Sequence, residues 1–240
     1  MSTPFAAVYF DCDSTLSAIE GVDELLQFAA PALRAEIRTL TEQAMNGERP
    51  LADVYATRLA RLAPRREHLD RIGELYVARL VPDAALTVRA LQALHKRVGI
   101  ISGGLLVPVQ RVAQHLGIEA RNVHAVPLSF RADGSYADFD RGSPLWQNGG
   151  KIEIVRRLPA TDRPIAFVGD GVTDLETRPH VDRFIGFGGV VRRAAVERDA
   201  EYFVTAPSLA AVLPFVLTAA ERERLRADPT FAALLSAAER

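Results

Sequence analysis

The chain alternates between short apolar runs and longer amphipathic segments. Five short runs rich in β-branched and aromatic residues predict strands. They lie at residues 5–10, 98–101, 164–168, 183–187 and 201–204. Between and around them, apolar residues recur at helical spacing in residues 84–96, 106–116, 151–158 and 190–197. Strands that alternate with helices indicate βαβ units. The pattern therefore predicts an α/β fold with a doubly wound, mainly parallel, Rossmann-like sheet.

Two regions interrupt this alternation. Residues 17–81 show only amphipathic helical pattern, which predicts a helical cap inserted just after the first strand. Its helix stops fall near Pro31, at residues 47–50 and near Pro64. Residues 126–141 contain two alternating runs around Asp133-Gly134, which favours a tight hairpin turn and predicts a small β-flap. The remaining predicted parts are a core at residues 1–16 and 82–218 and a helical C-terminal tail at residues 219–240.

The composition narrows the class of function. The 240 residues are 48% hydrophobic and 25% charged, with a net charge of −1, so no basic field exists to recruit nucleic acid or a membrane surface. The expected substrate is therefore a small molecule. The single cysteine, Cys12, cannot form an intramolecular disulfide, and no apolar run is long enough to cross a bilayer. We expect a cytoplasmic protein; the sequence leaves monomer and homodimer both open.

Two carboxylates follow the first predicted strand, in the run Asp11-Cys12-Asp13-Ser14-Thr15. One carboxylate could attack phosphorus and form an acyl-phosphate. The other could act as general acid to the leaving alcohol and then as general base to water. Aspartates at strand ends are also common turn residues, so this pair alone does not identify a site.

A second acidic run, GDGVTD at residues 169–174, follows the predicted strand at residues 164–168. Carboxylate oxygens are ligands that suit Mg²⁺, and such an ion would reduce the repulsion between an anionic nucleophile and an anionic phosphate. The glycines beside Asp170 allow a tight turn. An ordinary turn would use the same residue types, so this run is also ambiguous by itself.

Two further groups could bind phosphate. Ser102-Gly103-Gly104 ends the second predicted strand and opens a helix, where a hydroxyl and free N–H groups can hold an anion. Lys151 begins another helix, a position that the helix dipole disfavours for a cation and that a nearby anion would explain. The alternatives are an N-cap serine and a solvated lysine.

The four groups are more informative together than apart. Three of them directly follow strands of one predicted parallel sheet, and ligands of such sheets bind beyond the carboxyl ends of the strands. In combination they supply a nucleophile, an acid/base, phosphate ligands and a metal site. These are the parts that phosphoryl transfer to a carboxylate requires.

The motifs resemble those of the haloacid dehalogenase superfamily, and within it the phosphoserine phosphatases. Ser14 is typical of that branch, since most of the superfamily has glycine there, and the run at residues 184–193 is also similar. The likeness extends from residue 5 to about residue 204, although Leu51 replaces an aromatic residue frequent in the family. The resemblance implies a Mg²⁺-dependent phosphomonoester hydrolase, with phosphoserine as substrate and an aspartyl-phosphate intermediate on Asp11.

The resemblance also implies roles for individual residues. Asp11 would be the nucleophile and Asp13 the general acid/base. The metal would be held by Asp11, Asp170 and the backbone carbonyl of Asp13, with support from Asp174. The phosphate would be bound by Ser102, Gly103, Lys151 and Thr173. In the cap, Glu20 would face the substrate amine, Arg58 the substrate carboxylate, and Met45 would line an apolar pocket.

Three alternatives stay open on the sequence. Arg61 or Arg65 could replace Arg58 as the carboxylate ligand. The substrate could be another small phosphomonoester, with transfer to water or to an acceptor alcohol. A signalling receiver domain also combines a doubly wound sheet with an acceptor aspartate, Mg²⁺ and a lysine. The inserted cap and the second carboxylate at Asp13 argue against a receiver.

Overall fold

A parallel sheet forms the centre of the molecule. The computed structural model describes residues 3–45 and 51–239, without the side chains of residues 42–45 and 51. The strands in this part of the chain are β1 (Ala7–Phe10), β2 (Arg97–Leu105), β3 (Val123–Val126), β4 (Leu128–Phe130), β5 (Tyr136–Phe139), β6 (Ile165–Gly169), β7 (Arg183–Phe187) and β8 (Tyr202–Val204). Six of them form one sheet in the order β3-β2-β1-β6-β7-β8, and every pairing in it is parallel. The predicted α/β class is confirmed.

Helices flank this sheet and fill the predicted cap and tail. Those between β1 and β2 are α1 (Gly21–Glu24), α2 (Pro31–Met45), α3 (Leu51–Leu62), α4 (Arg66–Ala78) and α5 (Ala84–Ala93). Those that follow are α6 (Leu106–Leu116), α7 (Gly150–Arg157), α8 (Val172–Leu175), α9 (Ala194–Asp199), α10 (Leu213–Val216), α11 (Ala219–Ala227) and α12 (Pro229–Ala238). Pro31 opens α2, where its fixed φ and missing N–H cost little.

Strand β1 lies at the centre of the sheet, next to β6. Its four residues are all buried, because β2 and β6 pair with it on either side. The chain runs outward through β2 and β3 on one side and through β6, β7 and β8 on the other, so the strand order reverses between β1 and β6. Phe10 is in register with both Ile100 and Val168. The residues that follow these strands therefore meet at one edge, at the switch point where α/β sheets bind ligands.

The predicted hairpin is present as an antiparallel pair, β4 and β5. Gly134 lies at its tip in the left-handed region, with φ of 78°, which a glycine adopts without strain. The hairpin contacts the helical insertion, because the Arg66 N–H donates to the Gly134 carbonyl at 3.0 Å. Phe139 at its base makes edge contacts with Tyr55 and Trp146.

Three details differ from the sequence expectations. Strand β3 was not predicted, because its four residues run into the hairpin pattern and pair only at the sheet edge. Strand β2 continues to Leu105, so Ser102-Gly103-Gly104 lies within it and does not open a helix; α6 starts at Leu106. The helix predicted at residues 190–197 is α9, which starts at Ala194 because Arg193 is extended (φ −102°, ψ 115°). The domain boundaries stay predictions, and the predicted helix stop at residues 47–50 lies outside the described residues.

The C-terminal tail consists of two helices that meet at Asp228, beside the predicted break at Pro229. A buried ion pair fastens the tail to the sheet: Lys96 Nζ lies 2.6 Å from Glu221 Oε1 and 2.9 Å from the Phe5 carbonyl. Both side chains are almost fully buried. Within the described residues, no helix combines the length and hydropathy needed to cross a membrane.

Glu221→Gln should destabilise the protein by about 3 kcal/mol, because it leaves a buried ammonium without its counter-charge while an amide can still cap α11. Urea unfolding measures this change. Glu223→Gln is the matched control, since it removes an exposed partner of Arg226 and should change the free energy of unfolding by less than about 0.5 kcal/mol. Equal losses in the two variants would contradict the interpretation.

Candidate active site

A cavity of about 440 Å³ opens at the carboxyl edge of the sheet, between the strand ends and the helices inserted after β1. Most of the predicted site residues line it: Asp11, Asp13, Glu20, Arg58, Gly103, Lys151, Asp170 and Thr173. Ser102 and Asp174 are fully buried just behind its wall. The side chain of Met45 lies outside the described residues. The structure thus brings together residues from three strand ends, the start of α7 and the predicted cap.

Asp11 directly follows β1, and its N–H donates to the Val168 carbonyl at 2.9 Å. Its Oδ1 accepts from the Cys12 N–H at 2.7 Å and lies 2.9 Å from Lys151 Nζ. Lys151 also contacts Asp174 Oδ1 at 2.5 Å, so one ammonium lies between two buried carboxylates. The anions that the sequence analysis expected near this helix start are therefore present in the protein itself.

The Asp13 carboxylate is held from one side and faces the cavity on the other. Its Oδ1 accepts from the Gly21 N–H at 2.8 Å and from the Tyr76 hydroxyl. Its Oδ2 lies 3.5 Å from Ser102 Oγ. A Cβ at Gly104 would lie only 2.6 Å from Oδ2, so the chain needs glycine there to approach the carboxylate.

Asp170 follows β6 across the switch point from Asp11. Its Oδ1 accepts from the Thr15 hydroxyl at 3.1 Å, and its Oδ2 accepts from Arg193 Nε at 2.9 Å. The same guanidinium reaches Glu20 Oε1 at 3.3 Å. Arg193 therefore connects the acidic cluster at the strand ends to the predicted cap.

Asp11, Asp170 and Asp174 form a group suited to a metal ion. Each offers a carboxylate oxygen, and the three oxygens lie within 4.8 Å of one another. All three residues are buried. Hard oxygen donors of this kind bind divalent cations such as Mg²⁺ or Ca²⁺. The Asp13 side chain is not part of this group. The Asp13 atom predicted to bind the metal is the backbone carbonyl oxygen, and that role stays a prediction.

The electrostatics of the site also favour a cation. Burial, Glu20 and Asp11 raise the pKa of Asp13 to about 8, despite the hydrogen bonds from Tyr76 and Gly21. Burial and Asp11 raise the pKa of Asp170 to about 6, and raise that of Asp174 well above its usual value. Burial also raises the pKa of Glu20. Burial and the mutual repulsion of the carboxylates both disfavour the ionised forms, and a bound divalent ion would favour them.

The charge on Lys151 is secure in this environment. Burial lowers the pKa of its ammonium, but the charges of Asp11 and Asp174 raise it by more, so the pKa lies above its usual value. Lysine at the second position of α7 is possible because Gly149 turns the chain into the helix with φ of 75°. The ammonium is thus a permanent positive charge next to Asp11.

The cap residues predicted to contact the substrate differ in their positions. Arg58 lines the cavity and pairs with Asp23, and its buried Nε has no hydrogen-bond partner among the described residues. Arg61 pairs with Glu36 on an exposed surface. Arg65 lies at the hairpin tip, where it donates to the Asp133 carbonyl. Of the three arginines considered, Arg58 alone lines this cavity.

Sequence reasoning missed several residues that the structure places in the site. Tyr76 and Arg193 contact the predicted catalytic and metal-binding carboxylates, and Tyr55 donates to the Gly103 carbonyl at 3.2 Å. A partial signal existed for Arg193, because the run at residues 184–193 was identified as similar to the family without a role for its last residue. Tyr76 carried no signal, since it lies in an amphipathic helix about 60 residues from Asp13.

Comparisons with known proteins agree with this geometry. Residues 5–178 match the family model described as haloacid dehalogenase-like hydrolase. Phosphoserine phosphatase from Bos taurus is 39% identical over 201 residues, which cover 83% of this chain and 88% of that protein. A substrate-bound phosphoserine phosphatase structure has a TM-score of 0.74 at 21% identity, covers 90% of this chain and 100% of its own, and shows the same fold. The structure of DsGPDH of Dunaliella salina has a TM-score of 0.70 at 34% identity, and the match covers 88% of this chain and 38% of that one.

When a chelator removes metal ions, the melting temperature of the protein should fall by about 5 °C as the pH rises from 6 to 8.5. The unfolded chain releases the Asp13 proton near pH 4, whereas the folded chain retains it up to about pH 8. Rising pH across this window therefore favours the unfolded chain. Asp13→Asn should weaken this dependence of the melting temperature on pH. Asp138→Asn should leave it unchanged, because the hydrogen bond from Arg141 lowers the pKa of Asp138 and it titrates below the window. Calorimetry at several pH values measures this dependence for the unchanged protein and for both variants.

Proposed function

Because the chain belongs to the haloacid dehalogenase-like hydrolase family, as a phosphoric monoester hydrolase among the phosphoserine phosphatases, we propose that it hydrolyses O-phospho-L-serine to L-serine and inorganic phosphate. The observation that supports this best is the cavity itself. Asp11 lies there next to Lys151 and a group of carboxylates able to hold a metal ion, and Glu20 and Arg58 line the same cavity.

In the proposed first step, the Asp11 carboxylate attacks phosphorus. An O–P bond forms to Asp11 as the bond between phosphorus and the serine oxygen breaks, and Asp13 gives its proton to that oxygen. In the second step, Asp13 takes a proton from water as the water oxygen attacks phosphorus. The Asp11–phosphorus bond then breaks, which releases phosphate and restores both carboxyl groups.

The phosphate would be held by groups already in contact with the nucleophile. Lys151, 2.9 Å from Asp11 Oδ1, is suited to an anionic oxygen of the substrate. Thr173 and the backbone of Gly103 line the cavity near it. Ser102 is fully buried and its Oγ accepts from the Gly104 N–H at 3.0 Å, so we propose that it supports the end of β2 as well as binding phosphate.

The metal ion proposed for this site is Mg²⁺. Asp11, Asp170 and the Asp13 carbonyl would hold it, with Asp174 in support, because small divalent ions prefer carboxylate and carbonyl oxygens and keep several waters. When bound, it would neutralise negative charge between the nucleophile and the phosphate. Thr15 and Arg193, which bind Asp170, orient that ligand.

The amino-acid part of the substrate would be recognised by the cap. Arg58 offers a planar pair of donors that matches a carboxylate, and its partner Asp23 is half exposed, so the pair can be exchanged for a substrate carboxylate. Glu20 accepts from Ser14 and Arg193 and can accept from an ammonium group as well. The role of Met45 as an apolar pocket residue stays a prediction.

Other readings are less well supported. Membership in a hydrolase family contradicts the receiver-domain interpretation. Another small phosphomonoester, or transfer to an acceptor alcohol, is the alternative within the family, and it would use the same chemistry at Asp11. We also propose a cytoplasmic location; a homodimer stays a prediction.

A panel of phosphomonoesters with and without Mg²⁺ tests the proposal. We expect the highest kcat/KM for phosphoserine, with activity lost in chelator and restored by Mg²⁺. Asp11→Asn should lower kcat by more than about 10⁴-fold, because the amide cannot form the aspartyl-phosphate. A higher kcat/KM for an ester without the amino-acid group would favour the alternative substrate class.

Arg58→Ala should raise the KM for phosphoserine by about 10- to 100-fold, because a charge-assisted hydrogen bond to the substrate carboxylate is lost. The KM for phosphoethanolamine, which has the ammonium but no carboxylate, should change by less than about threefold. Arg61→Ala, on the exposed surface, is the matched control and should leave both values unchanged. An equal effect of Arg58→Ala on both esters would refute this role.

A further inference from the structure

The Asp13 carboxylate is oriented by a tyrosine that comes from the predicted cap. We propose that Tyr76 is a positioning residue for Asp13: its hydroxyl fixes Oδ1, so that Oδ2 alone exchanges protons with the substrate oxygen and with water. This inference rests on the proposed role of Asp13 as general acid/base. It assigns to a single hydroxyl on α4 the task of aiming that group.

The contacts of the two Asp13 oxygens are unequal. Oδ1 accepts two hydrogen bonds, from the Tyr76 hydroxyl and from the Gly21 N–H at 2.8 Å. Oδ2 faces Gly104, and in the part of the chain that the structure describes its one hydrogen-bond donor is the Ser102 hydroxyl at 3.5 Å, too long for a strong bond. With both acceptor directions of Oδ1 occupied, the carboxyl group cannot rotate about its Cβ–Cγ bond without breaking both bonds. The less engaged oxygen is the one left for proton transfer.

The packing around Tyr76 is built to keep this hydroxyl in place. Tyr76 is completely buried, and a Cβ at Gly21 would lie 2.1 Å from its Oη, so glycine is required beside it. The Tyr76 carbonyl accepts from Ser17 Oγ at 3.0 Å, which fixes the backbone of α4 to the segment that follows Asp13. Both ends of the residue are thus tied to the chain that carries the acid/base.

The tyrosine acts as a donor and does not compete for the proton in transit. Burial and the charge of Asp13 raise the pKa of Tyr76 well above its usual value, so the hydroxyl keeps its proton. In the first step the proton on Asp13 Oδ2 moves to the serine oxygen as its bond to phosphorus breaks. In the second, Oδ2 takes a proton from the attacking water. The Tyr76 proton stays in its bond to Oδ1 throughout.

Leaving-group dependence tests the proposal. The value of kcat/KM reports the steps up to release of the alcohol. In these steps the serine oxygen of phosphoserine needs a proton from an acid to leave, whereas p-nitrophenolate is a good leaving group and needs none. Tyr76→Phe should lower kcat/KM for phosphoserine by about 10- to 100-fold, the range expected for one lost hydrogen bond to a charged group. For p-nitrophenyl phosphate the loss should be less than about threefold. The inhibition constant of inorganic phosphate should not change.

Two further variants serve as controls. Tyr9→Phe removes another buried hydroxyl, which donates to Asp162 at 2.6 Å outside the cavity, and should lower stability without changing either kcat/KM. Gly21→Ala keeps the Tyr76 hydroxyl but displaces it, and should reproduce the selective loss on phosphoserine. If Tyr76→Phe folds poorly, the ratio of its two kcat/KM values still decides the question, because the concentration of folded enzyme cancels from that ratio.

Asp13→Asn separates the possible failures. If this variant loses the same factor in kcat/KM on both esters, the proposed acid/base role of Asp13 is wrong. A different result is that Asp13→Asn loses more kcat/KM on phosphoserine than on p-nitrophenyl phosphate while Tyr76→Phe and Gly21→Ala do not. That result overturns the role of Tyr76 and leaves the proposed function standing. Equal losses on both esters in Tyr76→Phe, or matching losses in Tyr9→Phe, would also overturn it, because they would indicate a merely structural tyrosine.

Discussion

The concentration of negative charge at the carboxyl edge of the sheet is the constraint on which the rest of the site depends. Asp11, Asp170 and Asp174 are buried, with carboxylate oxygens within 4.8 Å of one another. At an effective dielectric constant near 20, two unit charges about 4 Å apart repel by about 4 kcal/mol. Lys151 between two of these carboxylates, and Arg193 on the third, hold the cluster together. The three carboxylates could therefore also hold a divalent cation.

This cluster also dictates much of the local sequence. A Cβ at Gly169 would lie 2.3 Å from Asp174 Cγ, and one at Gly104 would lie 2.6 Å from Asp13 Oδ2. The glycines are therefore a consequence of packing carboxylates against backbone at the strand ends. The parallel sheet makes such packing possible, because β1 and β6 end side by side and the reversal of strand order between them leaves an open edge.

The parts that could be predicted from sequence are those in which a local pattern carries the information. The five apolar runs identified five of the six strands in the main sheet, and the position of Asp11 and Asp170 after two of them identified the edge. Strand β3 was missed because its residues run directly into the hairpin pattern of residues 126–141. Arg193 and Tyr76 were missed for another reason: their contacts with Asp170 and Asp13 join segments 23 and 63 residues apart, and no local pattern encodes such a pairing.

The segment inserted after β1 contributes side chains to the cavity as well as covering it. Glu20, Arg58 and Tyr76 all come from this insertion, and they contact groups on the strand ends or line the same cavity. A cap that only enclosed the cavity could be replaced by another cap without changing the reaction steps at Asp11 and Asp13. If Tyr76 orients Asp13 as proposed, a change in the insertion that altered substrate preference could also alter proton transfer. Selection on the ester, through Glu20 and Arg58, and selection on the rate, through Tyr76, would then act on neighbouring helices of one insertion.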